Sequence, residues 1–160
     1  MRSDRFERLL VDAINADGRL TARTYAEAGF DRSPHGAIAA TGRGAAVNVQ
    51  IVGRLADGAR HDHAEQPVTG EPHEALPVPD PAETGTLDLE TFERYLAGLV
   101  VGAAPEEVRT VTLYRDRDAP GAVRYGATIT YHDGAATFLY VLSAGDKRHE
   151  DFGPPAKVGA

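Results

Sequence analysis

Apolar and polar positions alternate most regularly between Val108 and Ser143. Two alternating runs there flank His132-Asp133-Gly134-Ala135, and an Asp-Gly pair in that setting predicts a two-residue type I′ hairpin. A two-residue loop sets Tyr131 opposite Ala136, Ile129 opposite Phe138, Ala127 opposite Tyr140 and Tyr125 opposite Leu142. Side chains alternate along a strand, so these eight share one apolar and aromatic face. The other face pairs Thr130 with Thr137, Thr128 with Leu139 and Gly126 with Val141, and it is mixed. The preceding strand, Val108 to Arg117, joins through Asp118-Ala119-Pro120-Gly121. An odd loop with a bulge at Gly121 puts Val111 and Leu113 beside Ile129, on the core face. A four-residue loop puts them on the mixed face. The odd loop is favoured.

Helical spacing precedes this meander twice. Phe6, Leu9, Leu10, Ala13 and Ile14 form one stripe, predicting a helix over Ser3 to Ala16 with Ser3 as cap and Gly18 as terminator. Leu89, Phe92, Leu96, Leu99 and Val100 form a second stripe, predicting a helix from Asp88 to Gly102 that Pro105 closes off. Between them, Leu20 to Ala28 alternates weakly. Ala37–Thr41 and Ala45–Leu55 read as a hairpin around Arg43-Gly44, and Asp57-Gly58 as a turn into a short strand from Ala59 to Ala64. Residues 65–86 hold Pro67, Pro72, Pro77, Pro79 and Pro81 and read as an extended internal connector. Residues 145–160 read as a flexible tail. The expected architecture is one α+β domain over residues 1–160: an antiparallel sheet with two amphipathic helices on one face, in the order α-β-β-(β)-linker-α-β-β-β. Phe6-Glu7-Arg8-Leu9-Leu10 and Phe92-Glu93-Arg94-Tyr95-Leu96 share a pattern, so the two halves are candidates for an internal repeat.

Composition narrows the function classes. The chain has no cysteine, which removes disulfides, zinc–thiolate sites and thiol nucleophiles. A net charge of −7 argues against a general nucleic-acid binder, because phosphate contacts need clustered cations. No apolar run approaches the roughly 20 residues of a membrane span, and the start shows no basic-then-apolar leader. A soluble cytoplasmic protein without a cofactor is expected. Arginine outnumbers lysine 15 to 2 beside abundant Ala and Gly, a composition suggestive of a GC-rich bacterial genome.

The chemical candidates are few. His61 and His63, in His61-Asp62-His63, would project from one side of an extended strand about 7 Å apart at Cα. His73 or Glu65 would supply a third zinc ligand. His35 would need an orienting carboxylate and a nucleophile to act as a base, and sequence places neither. Arg115, Arg117 and Arg124 form either a small basic patch or, beside Asp116 and Asp118, a self-neutralising strand end. No phosphate loop, nucleophile elbow or metalloprotease motif occurs.

These observations favour a non-catalytic protein-interaction module: an adaptor, a chaperone, an immunity-type inhibitor or a component of a mobile-element assembly. The element order and acidity resemble those of small acidic secretion chaperones, which implies a partner-binding role. The expected contact surface is the mixed face of Thr128, Thr130, Thr137, Leu139 and Val141, engaged by a protein partner or by a second copy in a homodimer. The alternatives are a small-molecule-binding or enzymatic protein with a helix–sheet cleft, or a metal site at His61 and His63.

Overall fold

The structure is a computed structural model and describes residues 1–31 and 33–145. It is an α+β fold: α1 (Ser3–Asp17), β1 (Thr21–Thr24), β2 (Gly36–Ala40), β3 (Ala46–Arg54), α2 (Leu89–Ala103), β4 (Val108–Leu113), a 3₁₀ turn at Tyr114–Asp116, β5 (Tyr125–Tyr131) and β6 (Ala136–Gly145). All six strands join one antiparallel sheet in the order β1-β2-β3-β6-β5-β4. The tail expected over 145–160 lies, after Gly145, outside the described residues.

The helices form where their stripes lie, and their ends follow local chemistry. Asp88 caps α2, its carboxylate accepting the Thr91 amide at 3.0 Å. Gly18 ends α1 in the left-handed conformation, at φ 80°. Ser3 is the first helical residue instead of the cap; Arg2 takes that position without a side-chain cap bond. Phe6, Leu10 and Ile14 of α1 and Phe92, Leu96 and Val100 of α2 are buried together with Val47, Val49, Ile51, Ile129, Leu139 and Val141. Both helices therefore cover the same face of the sheet. The third strand of the first half is β1, before the hairpin. Residues 59–64, expected as a strand after it, form turns.

The β5–β6 register differs by one residue from the expected pairing. Ile129 faces Thr137, Ala127 faces Leu139 and Tyr125 faces Val141. The cause is the turn. Among the described residues, none other than glycine has positive φ, so Asp133 does not adopt the conformation a type I′ turn needs. Its carboxylate instead accepts the Ala135 amide at 2.8 Å, and Gly134 alone turns left-handed, at φ 85°. The Tyr131 amide then bonds the Ala135 carbonyl at 3.0 Å, closing a three-residue loop. One extra loop residue exchanges the faces of β6: Thr137, Leu139 and Val141 go under the helices, and Phe138 and Tyr140 go to the opposite side. On β4 the favoured face is what occurs, but the strand ends at Leu113 instead of Arg117, and residues 114–124, beginning with the 3₁₀ turn, replace the expected short loop. Val111 faces Ile129 and Leu113 faces Ala127, though the bulge sits between Val108 and Thr110 and not at Gly121.

The two halves repeat one plan. Gly36 pairs Gln50, Ile38 pairs Asn48 and Ala40 pairs Ala46; ninety residues on, Gly126 pairs Tyr140, Thr128 pairs Phe138 and Thr130 pairs Ala136. At the turns, Gly44 repeats as Gly134, each left-handed and each bonded to the residue three before it at 3.0 Å. In α1, Glu7 accepts the Gly36 amide at 3.0 Å; in α2, Glu93 accepts the Gly126 amide at 2.7 Å. Each glycine is required there, because a Cβ at Gly36 would enter the Tyr25 ring and one at Gly126 would meet the Leu139 carbonyl and the Tyr114 ring. The shared Phe-Glu-Arg pattern is thus a helix-to-strand tie used twice. Gln50 lies opposite Tyr140 across the central β3–β6 pair, so the pseudo-two-fold axis of the repeat passes between them.

The Pro-rich connector, though free of helix and strand, is packed. Leu76, Val78 and Leu87 rest against the core. The Gly70 amide bonds the Glu106 carbonyl at 2.8 Å, and the His73 amide bonds the Pro105 carbonyl at 2.9 Å. The connector crosses α2 at Gly98, where a Cβ would strike the Pro77 carbonyl. Near its start, the Arg5 guanidinium bridges Glu65 and Glu107, with Nε 3.1 Å from Glu65 and Nη1 2.8 Å from Glu107. Burial alone would raise the Glu65 carboxyl, but the Arg5 and Arg2 donors outweigh it and hold the group below its ordinary range.

Candidate functional site

The face of the sheet opposite the helices is treated differently by the two halves. In the first half, the segment that follows β1 folds back over it. Tyr25 and Phe30 pack as a tilted pair with ring centroids 4.4 Å apart and form a second buried cluster with Ala28, Ile38 and Ala46. The Tyr25 hydroxyl bonds the Asn48 side chain, and Ser33 lies 3.4 Å from the Gln50 amide nitrogen, so two polar residues of β3 are buried with partners.

In the second half the equivalent of Tyr25 is Tyr114, buried beside Gly126 and 5.9 Å, centroid to centroid, from Tyr140. There the equivalence stops. Residues 115–124 contain no aromatic side chain, so no second ring takes the place of Phe30, and the Arg117 guanidinium covers Tyr114 instead. In place of Asn48 and Gln50 the face carries Phe138 and Tyr140, stacked at 6.4 Å with rings 7° apart and both part-exposed. Val52 lies opposite Phe138, Leu142 continues the row, and Thr110, Thr112, Thr128 and Thr130 line the adjoining strands.

Charge sets this face apart from the rest of the chain. Among the described residues, none of the six strands carries Asp or Glu, although the chain as a whole has a net charge of −7. Arg54 ends β3 opposite Ala136, at one end of the aromatic row. At the other end, Arg117 lies over the Tyr114 ring, 3.3 Å from its centroid; Arg124 instead lies 5.2 Å from the centroid of Tyr125, whose ring packs against the helix-side core. Arg115 is paired with Glu90 and Asp116, in line with the self-neutralising reading of this strand end.

The residues named from sequence separate. Thr128 and Thr130 lie on this outer face, whereas Thr137, Leu139 and Val141 are buried beneath the helices and are no contact surface. His61, His63 and His73 do not meet: among the described residues no group of three or more His, Asp or Glu side chains is placed to hold a metal ion. His61 lines a cleft of about 380 Å³ between the start of α1 and the end of β3. His63 lines a neighbouring cleft of about 620 Å³ with Arg60, Glu65 and Asp133, and His73 sits by Pro105.

His35 gains the carboxylate that sequence could not place. Its Nδ1 lies 3.3 Å from Glu7 Oε2, and since a carboxylate only accepts, that nitrogen donates. Ser33, the adjacent hydroxyl, donates to the His35 carbonyl at 3.3 Å and is not set as a nucleophile against the ring. His35, but not Glu7, lines the 380 Å³ cleft, whose wall also holds Gln50.

Sequence reasoning passed over Phe138, Tyr140 and Leu142 as a surface because it assigned them to the core. The signal that finds them is the comparison of residues 26–33, which contain Phe30, with residues 115–124, which contain no aromatic. No helix among the described residues is long and apolar enough to cross a membrane. Comparison with protein-family models, with curated proteins and with solved structures finds no match for this chain.

Proposed function

We propose that this protein is a non-catalytic protein-interaction module that binds its partner through the outer face of β3, β6, β5 and β4. One observation carries the reading: two halves on the same plan share one sheet, and only the first half supplies its own aromatic cover. Apolar surface gathered in one patch and rimmed by polar residues marks a contact site more often than scattered apolar residues do. Phe138 and Tyr140 are the aromatic anchors, the kind of residue that dominates binding energy at interfaces. The expected homodimer gains less support from this face. Two copies placed face to face would bring Arg54 and Arg117 of both to one interface with no strand acid to meet them.

The test is differential capture from the native cell, comparing the wild-type chain with Tyr140→Arg. A control variant, Arg94→Ala, alters an exposed position on α2. A partner retained by wild type and by Arg94→Ala but lost by Tyr140→Arg, with unchanged melting temperatures, is the expected result. The same captured proteins with all three chains would count against this face.

A further inference from the structure

We infer that the segment this face receives is an extended acidic stretch of a partner protein that contributes at least one aromatic side chain. The inference rests on the interaction reading above and names the chemistry of the partner. The first half shows what such a face accepts. There, Phe30 packs on Tyr25 over Ile38 and Ala46. The same scaffold in the second half presents Tyr114, Thr128 and Ala136 at the matching positions, covers the Tyr114 ring with Arg117 instead of a second ring, and leaves Phe138 and Tyr140 part-exposed beside it. A partner aromatic laid against Phe138 and Tyr140 supplies the aromatic cover that the first half provides for itself, and offset or tilted ring pairs at 4.5–7 Å are favourable beyond their buried area.

Charge selects the rest of the segment. The aromatic row runs from Arg54 at one end to Arg117 at the other, and the strands beneath it carry no acid. An acidic segment lying along β6 meets a cation at each end. A basic one meets a like charge at each end, softened at Arg117 by the exposed Asp116 and Asp118 beside it, and like-charge contact discriminates between partners. The row from Ala136 to Leu142 spans six residue steps, or about 20 Å at strand rise, which an extended segment of six or seven residues covers. The chain's own residues 146–160 include Glu150-Asp151-Phe152, but their charges cancel, with Asp146, Glu150 and Asp151 against Lys147, Arg148 and Lys157. The charge argument therefore does not favour them.

The experiment titrates isotope-labelled full-length protein with three acetylated, amidated heptapeptides and follows the amide spectrum. One alternates Glu and Asp around a central Phe, the second has Lys in place of every acid, and the third has Ala in place of the Phe. The acidic Phe peptide should give saturable shifts confined to residues of the outer face, weakening at least tenfold between 50 and 300 mM salt. The Lys and Ala peptides should bind at least tenfold more weakly, as should the acidic Phe peptide to Tyr140→Ala or to Arg54→Ala/Arg117→Ala. Equal binding of the Lys peptide, or no saturation by the acidic one, overturns the inference. If native partners are nonetheless lost in Tyr140→Arg, the interaction reading stands and only the charge assignment fails. Two further outcomes also overturn it. A chain ending at Gly145 that binds the acidic peptide tenfold better than full length makes the tail the occupant. A doubled mass by light scattering that Tyr140→Arg halves makes it a second copy.

Discussion

At the residue scale, the one-position slip of β6 inverts the expected roles of neighbouring side chains. Leu139 is wholly buried and contacts the helices' cluster, while Phe138 is part-exposed on the far face. Leu139→Ala should cost about 2–5 kcal/mol, the usual range for a buried leucine truncation. Phe138→Ala should cost less, about 1–3 kcal/mol, because that ring is part-exposed on the outer face. Urea unfolding of the two variants checks the order; a larger loss at Phe138 would restore the type I′ register. Leu139→Arg is for the same reason an unfolding substitution and not a probe of association.

Glu93 makes a second residue-scale prediction. It is 1% exposed, and burial raises its carboxyl above the ordinary value while the Gly126 amide only partly compensates. A folded-state pKa above the unfolded one means that the folded protein holds this proton to higher pH. Stability from that proton is present below the unfolded value and is lost as pH rises through the folded one. Glu93→Gln keeps an acceptor for Gly126 and has no proton to lose. Its stability relative to wild type should therefore improve as the pH is taken from 4 to 7, measured by urea unfolding at each pH. A difference that stays constant across that range would place the carboxylate in contact with water or a cation.

At the element scale, the connector is the part whose sequence misleads most. Five prolines among acidic residues describe an extended solvated chain, yet Pro77 and Val78 are laid against α2 at Gly98. Helix propensity by itself favours Gly98→Ala by about 1 kcal/mol. Contact with the Pro77 carbonyl should reverse that sign and give a net loss of about 1–3 kcal/mol, as overpacking does. A stabilised Gly98→Ala would show the connector lifted from the helix in solution. The Arg5 bridge to Glu65 and Glu107 holds the start of this segment. Glu65 has a lowered folded-state pKa, so its contribution is present above the unfolded value and lost as pH falls through the folded one. Limited trypsin digestion at Arg60 should accelerate in Glu65→Gln at pH 7, and in wild type on acidification with a protease active there.

At the scale of the whole molecule, the repeat explains both the stability of the sheet and the placement of its open surface. The central β3–β6 pair joins the halves around Gln50 and Tyr140, each half contributes one helix to the same face, and the halves differ in what lies on the other. Light scattering at micromolar concentration should give the mass of one chain, since the open face offers cations and no strand acids to a second copy. A doubled mass would direct the search to the free edges at β1 and β4.

Sequence by itself determined the α+β class, both helices and their stripes, the antiparallel meander, the placement of Val111 and Leu113 on the core face, and the hairpin around Gly44. These follow from local periodicity and from residues such as Gly18 and Asp88, whose preferences act within one turn of the chain. Tertiary structure alone decided the rest. Asp133-Gly134 is compatible with a two- or a three-residue loop, and the choice fell to the form in which Leu139 and Val141, instead of Phe138 and Tyr140, meet the helices. The tie from Glu93 to Gly126 and the dyad of His35 with Glu7 span 33 and 28 residues, distances at which no local pattern carries information. The uncovered face is a relation between two halves, and it became visible only when the shared strand pairing showed which residues of one correspond to which of the other.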